Sequence, residues 1–196
     1  MKNKTNIQKL GRIALNDINP KNQFAMFNLG NQTYHVVGGY IDNSFRILKD
    51  GKEIQTTRFH KKIVTAVDAG YIPRVKQTLI AVGSKDCRVT VWRFDSIKKD
   101  IDEQRKAQFE IFYGHHNEIT CLYIENILGL LVSCDKDNVV MVFCVSTGKL
   151  QRSIYPEMDA DDYIKMVRVD ENGFIILLTT KSVILTYRLI EFSMGY

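Results

Sequence analysis

An all-β fold is what this sequence predicts, on three observations. Short β-branched and aromatic runs follow one another along the chain, each bounded by turn residues. No segment of useful length keeps apolar residues at the helical i, i+3, i+4 spacing; the best candidate, Ser96–Gln108, is mostly charged and sits between strands. The runs also recur as a unit whose turn acids, Asp42, Asp86 and Asp137, lie 44 and then 51 residues apart. That period suits a propeller blade of four strands, with the extra length falling in the charged insertion.

In chain order the strand runs are Tyr34–Val37, Ser44–Leu48, Ile63–Val67, Thr78–Val82, Arg88–Phe94, Ile119–Ile124, Leu130–Ser133 and Val139–Val145. Laid over one another they expose the unit: strand, small residue, a short turn holding Asp, then strand. It reads Val37-Gly-Gly-Tyr-Ile-Asp-Asn-Ser-Phe-Arg-Ile47, then Val82-Gly-Ser-Lys-Asp-Cys-Arg-Val-Thr-Val-Trp92, then Val132-Ser-Cys-Asp-Lys-Asp-Asn-Val-Val-Met-Val-Phe143. A fourth copy, Ile164–Leu189, keeps the strands but has Thr180-Lys-Ser-Val where the turn acid should stand, as in a degenerate or terminal blade.

A second mark precedes two of the turns: His60-Lys-Lys-Ile-Val-Thr-Ala-Val before Asp86, and Gly114-His-His-Asn-Glu-Ile-Thr-Cys-Leu before Asp137. With Trp92 these residues spell a WD-repeat signature. A loop His can bond a Ser or Thr hydroxyl of a following strand. The turn Asp can take donors from the turn backbone and from the His, and the Trp indole N–H closes the group. His60, Asp42, Asp86, Trp92, Gly114, His115 and Asp137 are therefore assigned to architecture. A His/Asp pair that recurs once per blade argues against His60, His115 or His116 as a general base.

Composition narrows the function classes. Of the 196 residues 45% are hydrophobic and 25% charged, which is ordinary for a folded soluble domain. The longest apolar run, Phe174 to Leu178, is far shorter than the about 20 residues of a spanning helix. Met1 to Leu10 is polar and lacks the apolar stretch of a secretory signal, so the expected compartment is the cytosol. Cys87, Cys121, Cys134 and Cys144 lie in or beside apolar stretches without a Cys-x-x-Cys or Cys/His cluster, so they read as buried thiols and no zinc is expected. No phosphate-cradling Gly loop and no Gly-x-Ser-x-Gly elbow is present, and neither an enzyme nor a cofactor is predicted. The formal charge of +5 would permit attraction to phosphates, but the basic residues do not form an aromatic-interleaved stripe.

Gly38-Gly39-Tyr40-Ile41-Asp42-Asn43-Ser44-Phe45-Arg46-Ile47 resembles one blade of the C-terminal propeller of neurobeachin-like BEACH-domain proteins. Val82-Gly83-Ser84-Lys85-Asp86 with Val91-Trp92 is similar to the next blade. Gly114-His115, Glu118–Cys121 and Leu128–Ser133 resemble the following one, and Asp161–Tyr187 resembles the last, with Val169–Gly173 as its hairpin. The likeness runs in order from about residue 24 to 190. It implies a WD40-type β-propeller of about four blades, an incomplete ring or a fragment, because rings of this type usually hold about seven. It also implies a BEACH domain and a PH-like module upstream in a larger cytosolic protein. The implied role is a protein-docking scaffold in vesicle and membrane traffic, with peripheral attachment to endomembranes.

The blades are expected at about 24–57, 60–112, 115–154 and 162–190. Residues 1–23 form an N-terminal segment that could supply the outer strand of a preceding blade, and 191–196 form a tail. Partners would dock on the loops that feed the innermost strands. There the candidates are Tyr40, Lys61, Lys62, Lys85, His116, Asn117 and Lys136. Tyr40 would act as an aromatic anchor, and the lysines as a basic rim for an acidic peptide or phosphoinositide head group. Packing of Tyr40 on a neighbouring blade and ordinary surface lysines are the competing readings. Asp95–Gln108 is either a solvated loop or a docking segment. The alternative function is a WD-repeat adaptor in an RNA-associated or other multiprotein complex, though no RNA-binding motif is present.

Overall fold

The computed structural model describes residues 22–94 and 109–189. They form four antiparallel sheets, each a simple meander. Blade 1 holds β1 (Phe24–Leu29), β2 (Gln32–Val37), β3 (Ser44–Lys49) and β4 (Lys52–Arg58). Blade 2 holds β5 (Val64–Ile72), β6 (Gln77–Ser84), β7 (Val89–Arg93) and β8 (Phe109–Phe112). Blade 3 holds β9 (Ile119–Glu125), β10 (Leu130–Asp135), β11 (Val140–Cys144) and β12 (Leu150–Ile154). Blade 4 shows three strands among the described residues, β13 (Ile164–Val169), β14 (Phe174–Thr179) and β15 (Ile184–Arg188). The all-β prediction and the count of four blades agree with this architecture.

Composition explains the radial order of the strands. Second strands such as β6 and β10 and third strands such as β7 and β11 are buried almost throughout, because both faces of their sheet are covered by neighbouring blades. The fourth strands β4 (KEIQTTR) and β12 (LQRSI) are polar and largely open to solvent, which suits a sheet edge that must not recruit further strands.

Three apolar layers lie between consecutive blades. Phe27, Tyr34, Val36, Phe45 and Ile47 of blade 1 pack on Val67, Ile80, Val82 and Trp92 of blade 2. Leu79, Ala81, Val89 and Val91 of blade 2 meet Ile119, Leu122, Leu131 and Phe143 of blade 3. Leu130, Val132 and Val142 of blade 3 meet Val167, Ile175 and Leu177 of blade 4. Close approach in the middle layer requires a glycine: a Cβ at Gly83 would sit 2.5 Å from Ile119 Cγ2.

The hairpins joining second to third strands share one geometry. Each holds a tight turn closed by a backbone bond across three residues, from Asn43 to Tyr40, Cys87 to Ser84, Asn138 to Asp135 and Ser182 to Thr179, and the donor is left-handed every time: Asn43 (φ 60°), Cys87 (φ 66°), Asn138 (φ 62°) and Ser182 (φ 64°). In chain register Asp42, Asp86, Asp137 and Lys181 occupy the same loop position. The sequence alignment of the three turn acids, with blade 4 lacking one, therefore holds in space.

Of the N-terminal segment only residues 22 and 23 are described, and they lie at the innermost strands. Asn22 Nδ2 donates to the carbonyls of Thr120 (2.9 Å) and Lys165 (3.0 Å), and its own carbonyl accepts from Val67 N (2.6 Å). Residues 1–21, the insertion from 95 to 108, and 190–196 lie outside the described residues.

Candidate functional site: the loop end of the blades

Loops entering the first strands and the hairpins joining second to third strands share one end of the molecule, tied by a repeated backbone bond. Lys85 N donates to Ile63 O (3.0 Å), Lys136 N to Glu118 O (2.9 Å) and Thr180 N to Tyr163 O (2.8 Å). Each bond joins a hairpin to the residue just before a first strand.

In blade 2 the polar group under these loops is closed. His60 Nδ1 lies 3.1 Å from both carboxylate oxygens of Asp86, and Nε2 lies 3.0 Å from Thr90 Oγ1. Trp92 Nε1 donates to the same hydroxyl at 2.9 Å. The inventory is complete with a neutral His60: Nδ1–H donates to Asp86, Thr90 O–H donates to Nε2, and Thr90 Oγ1 accepts from Trp92. Burial holds His60 below its ordinary pKa despite the Asp86 charge, which keeps the ring neutral. Burial also acts against the Asp86 carboxylate, yet bonds from Lys61 N, His60 and Arg88 N leave its pKa below the usual value. Trp92 is fixed by aromatic neighbours, stacked on Phe109 (4.4 Å between ring centres) and edge-on to Phe59.

Blade 3 repeats the group with one change. His115 Nε2 meets Ser133 Oγ at 2.8 Å, but Nδ1 meets Asp135 Oδ2 at 2.8 Å, where the sequence prediction placed Asp137. Asp135 Oδ1 also accepts the turn amides of Asp137 and Val139, both at 3.0 Å. Asp137 is exposed and accepts from Asn117 Nδ2 (2.9 Å). The structural acid of this blade is thus Asp135. It stands at the last position of β10, which Ser84 occupies in blade 2, and from there its carboxylate is buried beside the ring.

Blade 1 has no loop His at this place. Asp42 instead accepts from Ser44 N (3.2 Å), Ser44 Oγ (2.5 Å) and Arg58 Nη2 (2.8 Å), and the Ser44 hydroxyl leads the bonds that lower its pKa. Gly114 takes φ 140° directly before His115, with Met141 packed against its α-carbon. Blade 4 replaces the turn acid by Asp162, from the incoming loop. Asp162 accepts from Thr180 Oγ1 (2.7 Å), Lys181 N (2.9 Å) and Tyr163 N (3.0 Å). Desolvation opposes these donors, but together they bring its pKa down to about 2.

All seven candidate docking residues lie on this end. Lys61, Lys62, His116 and Lys136 are exposed; Tyr40, Lys85 and Asn117 are half-buried. Two features change their chemistry. Glu118 stands between Lys85 and Lys136, with Oε2 3.4 Å from the first Nζ and Oε1 3.4 Å from the second, so a carboxylate interrupts the lysine series. The Arg46 guanidinium lies 3.9 Å over the centre of the Tyr40 ring, covering one of its faces. Glu118, Asp135, Asp162 and Thr90 were missed as functional positions in the sequence. Asp135-Lys-Asp137 does signal an acid at two places, but spacing gives no means of choosing between them. Among the described residues no three His, Cys, Asp or Glu side chains converge as metal ligands would.

Known proteins match this arrangement. The family model described as neurobeachin beta propeller domain matches residues 6–191. The chain belongs to that family. One relative, BEACH domain-containing protein B of Arabidopsis thaliana, is 28% identical over 173 residues, covering 79% of this chain. The chain spans only 6% of that relative's length. Among solved structures, the computationally designed Ika4 protein superposes with a TM-score of 0.61 at 18% identity, over 93% of this chain and 98% of the other. The designed Ika8 protein superposes with a TM-score of 0.60 at 18% identity, over 84% of this chain and 45% of the other. Both designs support the fold. The family membership supports a protein-interaction domain of a larger BEACH-containing protein.

Proposed function

We propose that this propeller is a non-catalytic docking platform within a BEACH-type protein of vesicle and membrane traffic. The observation that carries the reading is the disposition of the loop end. Every repeated His and its acid are spent on holding loops, while seven side chains of varied chemistry are gathered above them. A buried His bonded at both nitrogens has no site left for proton transfer to a substrate. Polar and aromatic side chains on rigidly tied loops are what a protein partner reads.

The expected setting is cytoplasmic, peripheral on endomembranes, with the BEACH and PH-like parts upstream in the same polypeptide. Partners are other proteins or peptides bound through the propeller loops. Nucleic acid is a poorer candidate, since Glu118 between Lys85 and Lys136 breaks the run of positive charge that phosphates require.

The test is proximity labelling in cells from the full-length protein, comparing wild type with a Lys62→Glu, Lys85→Glu and Lys136→Glu variant. Loss of a labelled set enriched in trafficking proteins, with folding retained, supports the proposal. An unchanged set removes the loop end as the docking site, and a set dominated by RNA-binding proteins favours the adaptor reading.

A further inference from the structure

The repeated hairpin bond gives the incoming loops of blades 2, 3 and 4 a common register. Ile63, Glu118 and Tyr163 each accept the hairpin amide through their carbonyls, from Lys85, Lys136 and Thr180. Two residues before each acceptor stand Lys61, His116 and Asp161, all exposed. Equivalent positions of consecutive blades therefore pass from a cation through an imidazole to a carboxylate. Their neighbours follow the same course. Lys62 is exposed beside Lys61, and neither lysine enters an ion pair among the described residues. At the other end Glu157 and Asp159 are exposed ahead of Asp161. Lys181 takes up part of their charge, its Nζ 3.1 Å from Asp159 and 2.5 Å from Asp161, yet the two carboxylates remain 76% and 79% exposed. Over blade 3 the charges cancel: Glu118 and the exposed Asp137 offset Lys85 and Lys136. The loop end thus runs from basic over blade 2, through neutral, to acidic over blade 4. Grouping like charges on exposed loops adds nothing to packing and sets a field that a partner can read.

We propose that the partner of this loop end is a polypeptide segment of mixed charge laid across blades 2 to 4, its acidic stretch over Lys61 and Lys62 and its basic stretch over Asp159 and Asp161. The inference rests on the docking reading above and adds to it the charge order of the partner. Complementary charge of both signs, in sequence, fixes the register and direction of a bound segment. It also discriminates: a uniformly anionic ligand drawn to blade 2 is repelled at blade 4, and a uniformly cationic one meets the reverse. The side chains concerned are free to serve a partner, because the bonds that hold these loops run through the backbone. Lys61 uses its N–H to Asp86 and its carbonyl to Asn43, and the Lys62 carbonyl accepts from Ser84. The Asp159 carbonyl accepts from Asp162 N.

The experiment has two arms, both on the full-length protein. In the first, proximity labelling in cells compares wild type with a Lys61→Glu, Lys62→Glu variant and with an Asp159→Lys, Asp161→Lys variant. Each reversal should remove the same labelled proteins, while the conservative pairs Lys61→Arg, Lys62→Arg and Asp159→Glu, Asp161→Glu keep them. In the second, complexes of the unaltered protein are treated with a carbodiimide, which joins an amine to a carboxylate only where the two already touch. Amide links are expected from Lys61 or Lys62 to Asp or Glu, and from Asp159 or Asp161 to Lys, of one and the same partner chain. This arm decides even where a reversal variant fails to fold. Loss caused by one reversal alone, or of different proteins by the two, leaves the docking reading standing and overturns the charge order. If neither reversal changes the labelled set, the charge order falls, and the variant at Lys62, Lys85 and Lys136 shows whether docking falls with it. Links to upstream parts of the same polypeptide would also overturn the proposal, assigning the surface to a contact within the protein.

Discussion

His115 turns its Nδ1 to Asp135, at 2.8 Å, and leaves the aligned turn acid Asp137 to Asn117. In blade 2 the corresponding His60 takes the aligned acid, Asp86. Two blades of one chain thus solve the same problem with acids two positions apart, because β10 ends in Asp135 where β6 ends in Ser84. The Ser84 hydroxyl donates to the incoming loop carbonyls and cannot hold a ring nitrogen as a carboxylate does.

The first prediction follows from that difference. Asp135→Asn leaves a buried His115 with a weakened partner and should lower unfolding stability by about 1–3 kcal/mol. Asp137→Asn, at an exposed position, should change it by less than about 0.5 kcal/mol. Chemical denaturation of both variants decides the matter, and equal effects would reassign the acid.

Thr90 bears both His60 and Trp92 in blade 2. Thr90→Val keeps the shape and removes the hydroxyl, leaving His60 Nε2 and Trp92 Nε1 buried without their partner. A loss of about 2–4 kcal/mol is expected, the sum of two stranded polar atoms. Restoration by Thr90→Ser would show that the hydroxyl, and not the methyl, carries the effect.

Asp68 predicts an unusual pH dependence. Its carboxylate joins blades 2 and 3, accepting Ile124 N at 2.8 Å and Ala69 N at 3.0 Å, and burial outweighs these donors to lift its pKa to about 6. Between the unfolded value of 3.8 and about 6 the folded state binds the extra proton. This group's contribution to stability is therefore greatest below about pH 4, falls as pH rises through 6, and stays low above it. The shift corresponds to roughly 3 kcal/mol. Asp68→Asn should accordingly be more stable than wild type at pH 7, with the gap closing below pH 4. A gap independent of pH would refute the assignment.

Asp162 has the opposite sign. Its folded pKa of about 2 lies below the ordinary 3.8, so its contribution is fully present above pH 4 and is lost as pH falls towards 2. Wild type should show an acid-labile blade 4, seen as hydrogen exchange at Lys181 and Tyr163 amides that accelerates below pH 4. Asp162→Asn should show that faster exchange already at neutral pH.

Gly83 marks the closest approach of blades 2 and 3. Gly83→Ala places a methyl group against Ile119, in a layer with no room, and should cost about 1–3 kcal/mol. The double variant Gly83→Ala with Ile119→Val should recover part of that loss in a thermal melt.

Much of the fold was legible because a repeat is a periodic signal. The alternation of β-branched runs with Asp-bearing turns marked most of the strands. The register of the turns placed Asp42, Asp86 and Asp137 in one loop position, as the left-handed Asn43, Cys87 and Asn138 beside them confirm. The missing acid of blade 4 was equally visible, in Lys181. What could not be read was which groups meet across the loops. Glu118 between Lys85 and Lys136, Arg46 over Tyr40, and Asp162 reaching Thr180 and Lys181 all join residues from different elements.

The sequence by itself determined the unit: the succession of strands, the turn positions, and a loop His for the polar groups of blades 2 and 3. Those are local or periodic properties, written in residue type and spacing. Only the tertiary structure decided that Asp135 serves His115, that Asp68 lies at a blade junction with a raised pKa, and that among the described residues Met26 and Ile176 are left exposed on blades 1 and 4. Each of these depends on distance between segments remote in the chain, and the energy of a buried charge or an uncovered face is set by that distance rather than by the residue alone.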